Sequence, residues 1–295
     1  MLPHRPNLST SPADDRSCNW QGSIQTRAMI NTIRSPASLA GLIIAAFLAV
    51  WPGAATMAQN LPLQNVPMKI GLIQGSGDEA GLHIQLSPGW KFYWRTPGEG
   101  GVPAQFDWTA SRNVARVDVA WPAPRRIIIG KTELYGYGGE LVLPLQVERQ
   151  EAGKPYGLDL MLEYGVCKDI CILRNDRLVL RSQETPASEN LILLAKWRAR
   201  VPQPAAQAGL QLVSHRLKPD RLVVTLQSQV PLQNPDLFVE GSPDSWFGRP
   251  EVNLGVNGQE VRFELPAGYP PDKANQPLRL TLVDRNMQAE LVLPP

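Results

Sequence analysis

The chain reads as an all-β protein, two β-sandwich domains in tandem joined by a short helix and a linker. Three observations point there. Proline stands at 28 of 295 positions, nearly twice its usual share of about 5%, a density at odds with long helices. Hydrophobicity runs in short alternating or β-rich stretches broken by Pro, Gly and Asn/Asp. A single segment has a convincing helical pattern, and it divides the strand-rich sequence in two.

In chain order, residues 1–58 form an upstream extension and a signal peptide. Leu39 to Val50 is a twelve-residue apolar run preceded by Arg34 and followed by Trp51-Pro52-Gly53 and the small-residue stretch to Ala58. That is a basic region, an apolar region and a cleavage site of secretory type. The run is short of the roughly 20 apolar residues a membrane span needs. Residues 1–28 fit neither a signal nor a domain, so translation is expected to start at Met29 and Cys18 to be absent from the mature protein.

The first sandwich, 59–185, is built from Lys69 to Ile73, Gly81 to Leu86, Val114 to Val119, Glu140 to Val147, Leu158 to Tyr164 and Arg177 to Leu180, at intervals that suit a sandwich. The helix Ala187 to Ala199 opens at Pro186 and Ser188 and closes before Pro202. With the Pro/Ala/Gln linker Val201 to Gly209 it fills 186–209. The second sandwich, 210–295, continues with Leu210 to Leu217, Arg221 to Gln227, Asp236 to Glu240, Gln259 to Leu265, Leu278 to Asp284 and Gln288 to Leu293. Lys218-Pro219-Asp220 and Val256-Asn257-Gly258 are hairpin turns between them.

Charge excludes whole classes of partner. Of 29 basic and 27 acidic residues, four and two precede residue 59, so the remainder balances at zero. That leaves no basic stripe for nucleic acid and no polybasic segment for anionic lipid. No segment after residue 58 approaches eighteen apolar residues, so no stable membrane insertion follows cleavage. No Ser/His/Asp set, paired-carboxylate motif or phosphate loop is found. Trp90, Trp94, Trp108 and Trp121 are expected in core or edge packing, and His83 as an ordinary strand residue.

The mature chain keeps two thiols, Cys167 and Cys171. On one extended strand, residues four apart lie about 13 Å apart, beyond the roughly 7 Å reach of a disulfide. A helix would bring them close, but Gly165 and the β-rich flanks oppose one. A hairpin satisfies both constraints: Leu158 to Cys167 ascends, Lys168-Asp169-Ile170 turn, and Cys171 to Leu180 descends. The cysteines then face each other with Cα atoms about 4.5–5.5 Å apart. A ring of about five residues contributes only roughly 2 kcal/mol as a staple, so a redox couple is the favoured reading. A structural staple and a metal site are the competing ones. Two thiolates are half a zinc site, and His83 and His215 fall in different domains. Cu(I), which accepts two soft ligands, is the cofactor alternative; otherwise no cofactor is expected. Lys168 favours a thiolate and Asp169 opposes it, so no large net pKa depression is expected.

The stretch from Gly89-Trp90-Lys91-Phe92-Tyr93-Trp94-Arg95-Thr96-Pro97-Gly98 through Val102-Pro103, Asp107-Trp108, Trp121-Pro122-Ala123-Pro124, Gly130-Lys131-Thr132-Glu133, Tyr135-Gly136-Tyr137 and Leu143-Pro144 to Val166-Cys167-Lys168-Asp169-Ile170-Cys171-Ile172 resembles the N-terminal periplasmic domain of the DsbD thiol:disulfide interchange reductases. It is most similar to the branch called suppressor of copper sensitivity protein B. The resemblance covers about residues 65–185 and implies an immunoglobulin-like sandwich, a periplasmic location, and Cys167 and Cys171 as the catalytic pair. The pair would take electrons from a membrane electron-transfer protein and pass them to periplasmic thioredoxin-like proteins or disulfide isomerases. It also implies that Arg125 to Glu133, with Ile127, Ile128, Ile129, Gly130 and Lys131, forms a cap loop over the pair. Three departures stand out. Leu173 replaces the proline usual in that branch, Ile128 stands where the best-known members carry an aromatic, and the chain ends after the second sandwich. Without the family's membrane channel and terminal thioredoxin-like domain, its electron donor is expected to be encoded separately.

Two functions from different classes follow: a thiol–disulfide exchange protein, or a non-catalytic periplasmic binding module linked to copper tolerance. The N-terminal reading is directly testable. Sequencing of the exported protein is expected to begin near Gln59, and deletion of residues 1–28 to leave export intact. A mature protein retaining Cys18 would overturn both the start site and the two-thiol argument.

Overall fold

The computed structural model describes residues 68–130, 132–182, 185–270, 276–285 and 287–293. The expected signal segment, its cleavage point, Met29 and Cys18 lie outside the described residues. The first ten strands are β1 (Met68–Gln74), β2 (Glu79–Leu86), β3 (Lys91–Gly98), β4 (Gln105–Asp107), β5 (Arg116–Val119), β6 (Arg125–Ile129), β7 (Thr132–Gly138), β8 (Glu140–Glu148), β9 (Gly157–Cys167) and β10 (Cys171–Arg181). They make two antiparallel sheets, β1-β2-β8-β5 and β10-β9-β3-β7-β6, with β4 added on β9.

Period-two patterning aims the inner faces at one core. In β9, Leu158, Leu160, Leu162 and Tyr164 are buried, while Met161 and Glu163 face solvent. Facing them from the other sheet are Leu82, Ile84, Leu141 and Leu143. Trp90, Trp94 and Trp121 are buried there too, with Trp108 packed at the margin.

The alternation fails in β8, where Leu141, Val142 and Leu143 are all buried. The cause is α1 (Ser188–Arg198), which lies against the outer face of this sheet and buries Leu194 and Trp197. Lys196 Nζ reaches Glu140 at 2.9 Å, and Arg198 pairs with Glu79. A Cβ on Gly81 would stand 2.8 Å from both Leu194 Cδ2 and Val142 Cγ1, so glycine there is what admits the helix. No side-chain hydrogen bond caps the helix at Ala187. A helix this short is marginal alone, and its buried face holds it.

The remaining strands are β11 (Gln203–Pro204), β12 (Leu210–Lys218), β13 (Arg221–Ser228), β14 (Asp236–Glu240), β15 (Trp246–Phe247), β16 (Glu251–Leu254), β17 (Glu260–Gly268), β18 (Leu278–Asp284) and β19 (Met287–Leu293). They form a second pair of sheets, β11-β19-β18-β14 and β12-β13-β17-β15, with β16 on β17. Leu222, Val224, Leu226, Val261, Phe263, Leu280 and Leu282 fill the space between them. The protein is thus nearly all β, with two immunoglobulin-like sandwiches in tandem.

Within the linker Val201 to Gly209, β11 runs parallel to β19, and Ala205 N–H donates to Glu290 O at 2.8 Å. The Ala123 N–H also donates to Arg200 O at 2.8 Å, tying the helix exit to the first sandwich. Strands β3, β4, β6, β7, β15 and β16 were not expected as strands. In β3, Phe92, Tyr93 and Trp94 are all buried, because both faces are covered, which erases the period-two signal.

The sandwiches share apolar packing. Phe238 of β14 lies edge-on to Tyr135 at 5.0 Å and to Trp94 at 5.9 Å, inside the first core. Both belong to one compact unit.

Gly81→Val is expected to lower the unfolding free energy, read from the denaturant midpoint, by the usual overpacking cost of about 1–3 kcal/mol, because Leu194 and Val142 must give way. Gly71→Val, whose Cβ meets nothing within 4 Å, is the control. Equal midpoints for the two variants would show that α1 is not seated on this sheet.

Candidate functional site

Cys167 closes β9 and Cys171 opens β10, and the register sets them directly opposite each other. Their Cα atoms lie 4.1 Å apart and the sulfurs are bonded. The turn Lys168-Asp169-Ile170 is exposed, with the Lys168 N–H bonded to Ile170 O at 3.1 Å. The Lys168 stem runs over Gly89, where a Cβ would meet its Cε at 2.9 Å.

The two sulfurs are not equivalent. Cys167 is 3% exposed and belongs to a small cluster with Tyr93 and Leu134, against which Ile127 and Ile129 pack. Cys171 is exposed. Its Sγ lies 3.2 Å from the Tyr93 hydroxyl, and since a disulfide sulfur carries no hydrogen, the phenol donates. Burial pushes the Tyr93 pKa up, so it remains a neutral donor. Its ring is seated by glycine: a Cβ on Gly165 would come within 3.1 Å of the ring, and one on Gly101 within 2.7 Å. Sequence reasoning passed over Tyr93 as a site residue. It stands in the Gly89–Gly98 stretch, but nothing local links it to a sulfur 78 positions away.

The expected cap is the β6–β7 hairpin, in register from Arg125↔Gly136 to Ile129↔Thr132, with Gly130 at positive φ in its turn. Lys131 lies outside the described residues. Among the three isoleucines of the expected cap, Ile128 stands apart. It is 61% exposed, because adjacent strand residues point to opposite faces and Ile127 and Ile129 take the inward one.

The other face of the hairpin carries Arg126 and, across the ladder, Tyr135 and Glu133. Arg126 Nε lies 2.7 and 2.9 Å from the Asp236 carboxylate, and Nη2 donates to Leu237 O at 2.6 Å. Nη1 pairs with Glu133, and the guanidinium sits 5.1 Å from the Tyr135 ring and 4.7 Å from Phe238. Burial works against its charge, but Asp236 and Glu133 more than offset this and hold the pKa above its ordinary value. Tyr135 donates to Phe247 O at 3.1 Å, and Arg249 bonds Glu133 at 3.0 Å. On the neighbouring β3, Arg95 reaches Glu240 and Glu290 at 2.6 and 2.5 Å.

Elsewhere, His83 Nε2 lies 3.4 Å from Glu140 on the adjacent strand. Among the described residues no group of three or more His, Cys, Asp or Glu side chains is placed to hold a metal ion, and no helix is long and apolar enough to cross a membrane.

Residues 58–183 match the family model described as "Thiol:disulfide interchange protein DsbD, N-terminal". Residues 200–295 match one described as a domain of unknown function, DUF8393. No curated protein matches the chain. Among solved structures, the N-terminal periplasmic domain of ScsB from Proteus mirabilis is similar with a TM-score of 0.64 and 22% identity, over 77% of this chain and 91% of that one, a likeness of fold. The part of the chain that matches the DsbD N-terminal model is thus the first sandwich, the one that carries the hairpin disulfide.

Proposed function

We propose that this is a periplasmic thiol–disulfide exchange protein whose Cys167–Cys171 pair relays electrons between a redox donor and thioredoxin-like partners. The observation that carries the reading is the asymmetry of the pair, with Cys171 exposed and its sulfur beside a phenol, and Cys167 buried. The periplasmic location rests on the signal-like run before residue 59 and on the similarity to a periplasmic domain.

The chemistry follows from that asymmetry. A partner thiolate attacks Cys171 Sγ in line with the S–S bond; the new bond is partner S–Cys171 S, and the electron pair of the broken bond leaves on Cys167. Cys167 takes a proton from solvent or partner, since its apolar surroundings disfavour the thiolate. The partner's second thiolate then attacks its own sulfur in the mixed disulfide and releases Cys171 as a thiolate. Tyr93 donates to that developing charge. Two electrons have entered this protein, and the partner leaves as a disulfide. Every step runs in reverse when the reduced pair meets an oxidised partner, with Cys171 attacking and Cys167 resolving.

Thiol titration is expected to find no free thiol in the oxidised mature protein and two after mild reduction, at a potential above the roughly −300 mV bound typical of structural disulfides. Cys167→Ala, which leaves the open thiol, should trap a mixed disulfide with a thioredoxin-like protein. Cys171→Ala should trap far less, and both should remain folded because so small a ring contributes little. Should the pair resist reduction and its loss unfold the domain, it is a staple, and the binding-module reading takes over.

Tyr93→Phe deletes only the hydroxyl. A hydrogen bond to a charged group contributes about 1.5–3 kcal/mol, so exchange at Cys171 is expected to slow by roughly tenfold or more, with the thiolate pKa of Cys171 rising. Stopped-flow reduction and pH-dependent alkylation measure the two effects. Unchanged values would remove Tyr93 from the mechanism.

A further inference from the structure

The β6–β7 hairpin is sandwiched. Its inward face, Ile127, Ile129 and Leu134, packs into the small cluster, centred on Tyr93, that also holds Cys167. Its outward face, Arg126, Glu133 and Tyr135, is bound by the second sandwich: Asp236, Leu237 and Phe238 of β14, Phe247 of β15, and Arg249 just beyond it. Side chains alternate along each strand, so the two faces of one hairpin, a single chain thickness apart, serve these two purposes. From these contacts we infer that the second sandwich is the backing of the cap: by pinning Arg126 it holds the hairpin on Cys167, so that only Cys171 is open to a thiol partner. Its consequence for exchange rests on the function proposed above, but the covering of Cys167 stands apart from it.

The physical case is the cost of moving Arg126. Its side chain is 8% exposed, and its guanidinium has Asp236, Glu133, Tyr135 OH and Leu237 O as polar partners, with two rings against its faces. Lifting the hairpin off Cys167 would tear a buried charge from its counter-charge, and breaking one partner of such a pair is strongly unfavourable. A guanidinium also demands planar, fork-like partners, so the hold has one geometry. Without that backing, β6 is an edge strand held to its sheet by β7 alone. On the first-sandwich side β7 is held by Tyr135 and Tyr137 in the core and by the β3–β7 ladder, whose register breaks between Tyr93 and Gly98, beside the site. Arg126 is on this account a positioning residue: it touches neither sulfur.

The test is site-resolved alkylation of the fully reduced, full-length protein with iodoacetamide under native conditions, read cysteine by cysteine after digestion. In the wild type Cys167 should react far more slowly than Cys171. Asp236→Asn, a change in the second sandwich only, should raise the Cys167 rate by about tenfold, equivalent to roughly 1.4 kcal/mol off the closed hairpin, and leave the Cys171 rate within about twofold. Arg126→Met should do the same, and the double variant should be no worse than the larger single one, as coupled partners require. A purely structural role would move both cysteines together or neither. A Cys167 rate unchanged in Asp236→Asn, with the thermal transition intact, overturns the inference. Should the variants not fold, hydrogen exchange on the wild type decides it. The inference requires β6–β7 amides as protected as those of β14; a hairpin that exchanges freely beside a protected β14 overturns it. Failure of the exchange function shows instead in the potential and in trapping, with the alkylation pattern unaffected.

Discussion

A guanidinium withdrawn from water must be paired on every side, and Arg126 is where this protein meets that demand. Its partners come from both sandwiches, so the demand can be met in one relative placement only. As a source of stability such an arrangement is modest, since desolvation consumes much of the Coulombic gain. As a source of geometry it is strong. Phe238 supplies the apolar part by entering the first core beside Trp94 and Tyr135, and Arg95 adds a second charged contact with Glu240 and Glu290. The seam is therefore a greasy plug flanked by arginines, and the hairpin next to the disulfide is one wall of it.

The site itself depends on placement more than on local chemistry. Antiparallel register brings two cysteines into bonding distance at a strand end, and the hairpin tip puts them at the surface. What separates them is their surroundings: Cys167 lies among Tyr93, Leu134, Ile127 and Ile129, whereas Cys171 borders solvent and a buried phenol. Low polarity around one sulfur and a donor beside the other point the same way, since the first disfavours a thiolate and the second welcomes one. Glycine at 101 and 165 is the means, because only there can the Tyr93 ring lie against the backbone of its neighbours.

Much of this was legible in the sequence where the signal is local. The β9–β10 hairpin followed from the distance argument on a four-residue spacing, and the strands whose burial alternates, such as β13 and β17, followed from alternation. The helix was found from its flanking prolines and polar start. The strands that line the site were harder. β3 is buried on both faces and β6 carries three consecutive isoleucines, so neither shows a period. β15 and β16 are short edge pieces, and β11 is a strand only because β19 lies beside it.

The sequence by itself determined the all-β class, the tandem arrangement and the pairing of Cys167 with Cys171, because these depend on composition, period and short-range spacing. Only the tertiary structure decided which sulfur is open, that Tyr93 donates to it, that Ile127 and Ile129 rather than Ile128 lie inward, and that the second sandwich grips the hairpin through Arg126. Each of these is a meeting of residues distant in the chain, 110 positions apart for Arg126 and Asp236. Side-chain direction, burial and counter-charge are set by what the other elements bring to the same place, and one stretch of sequence carries no record of that.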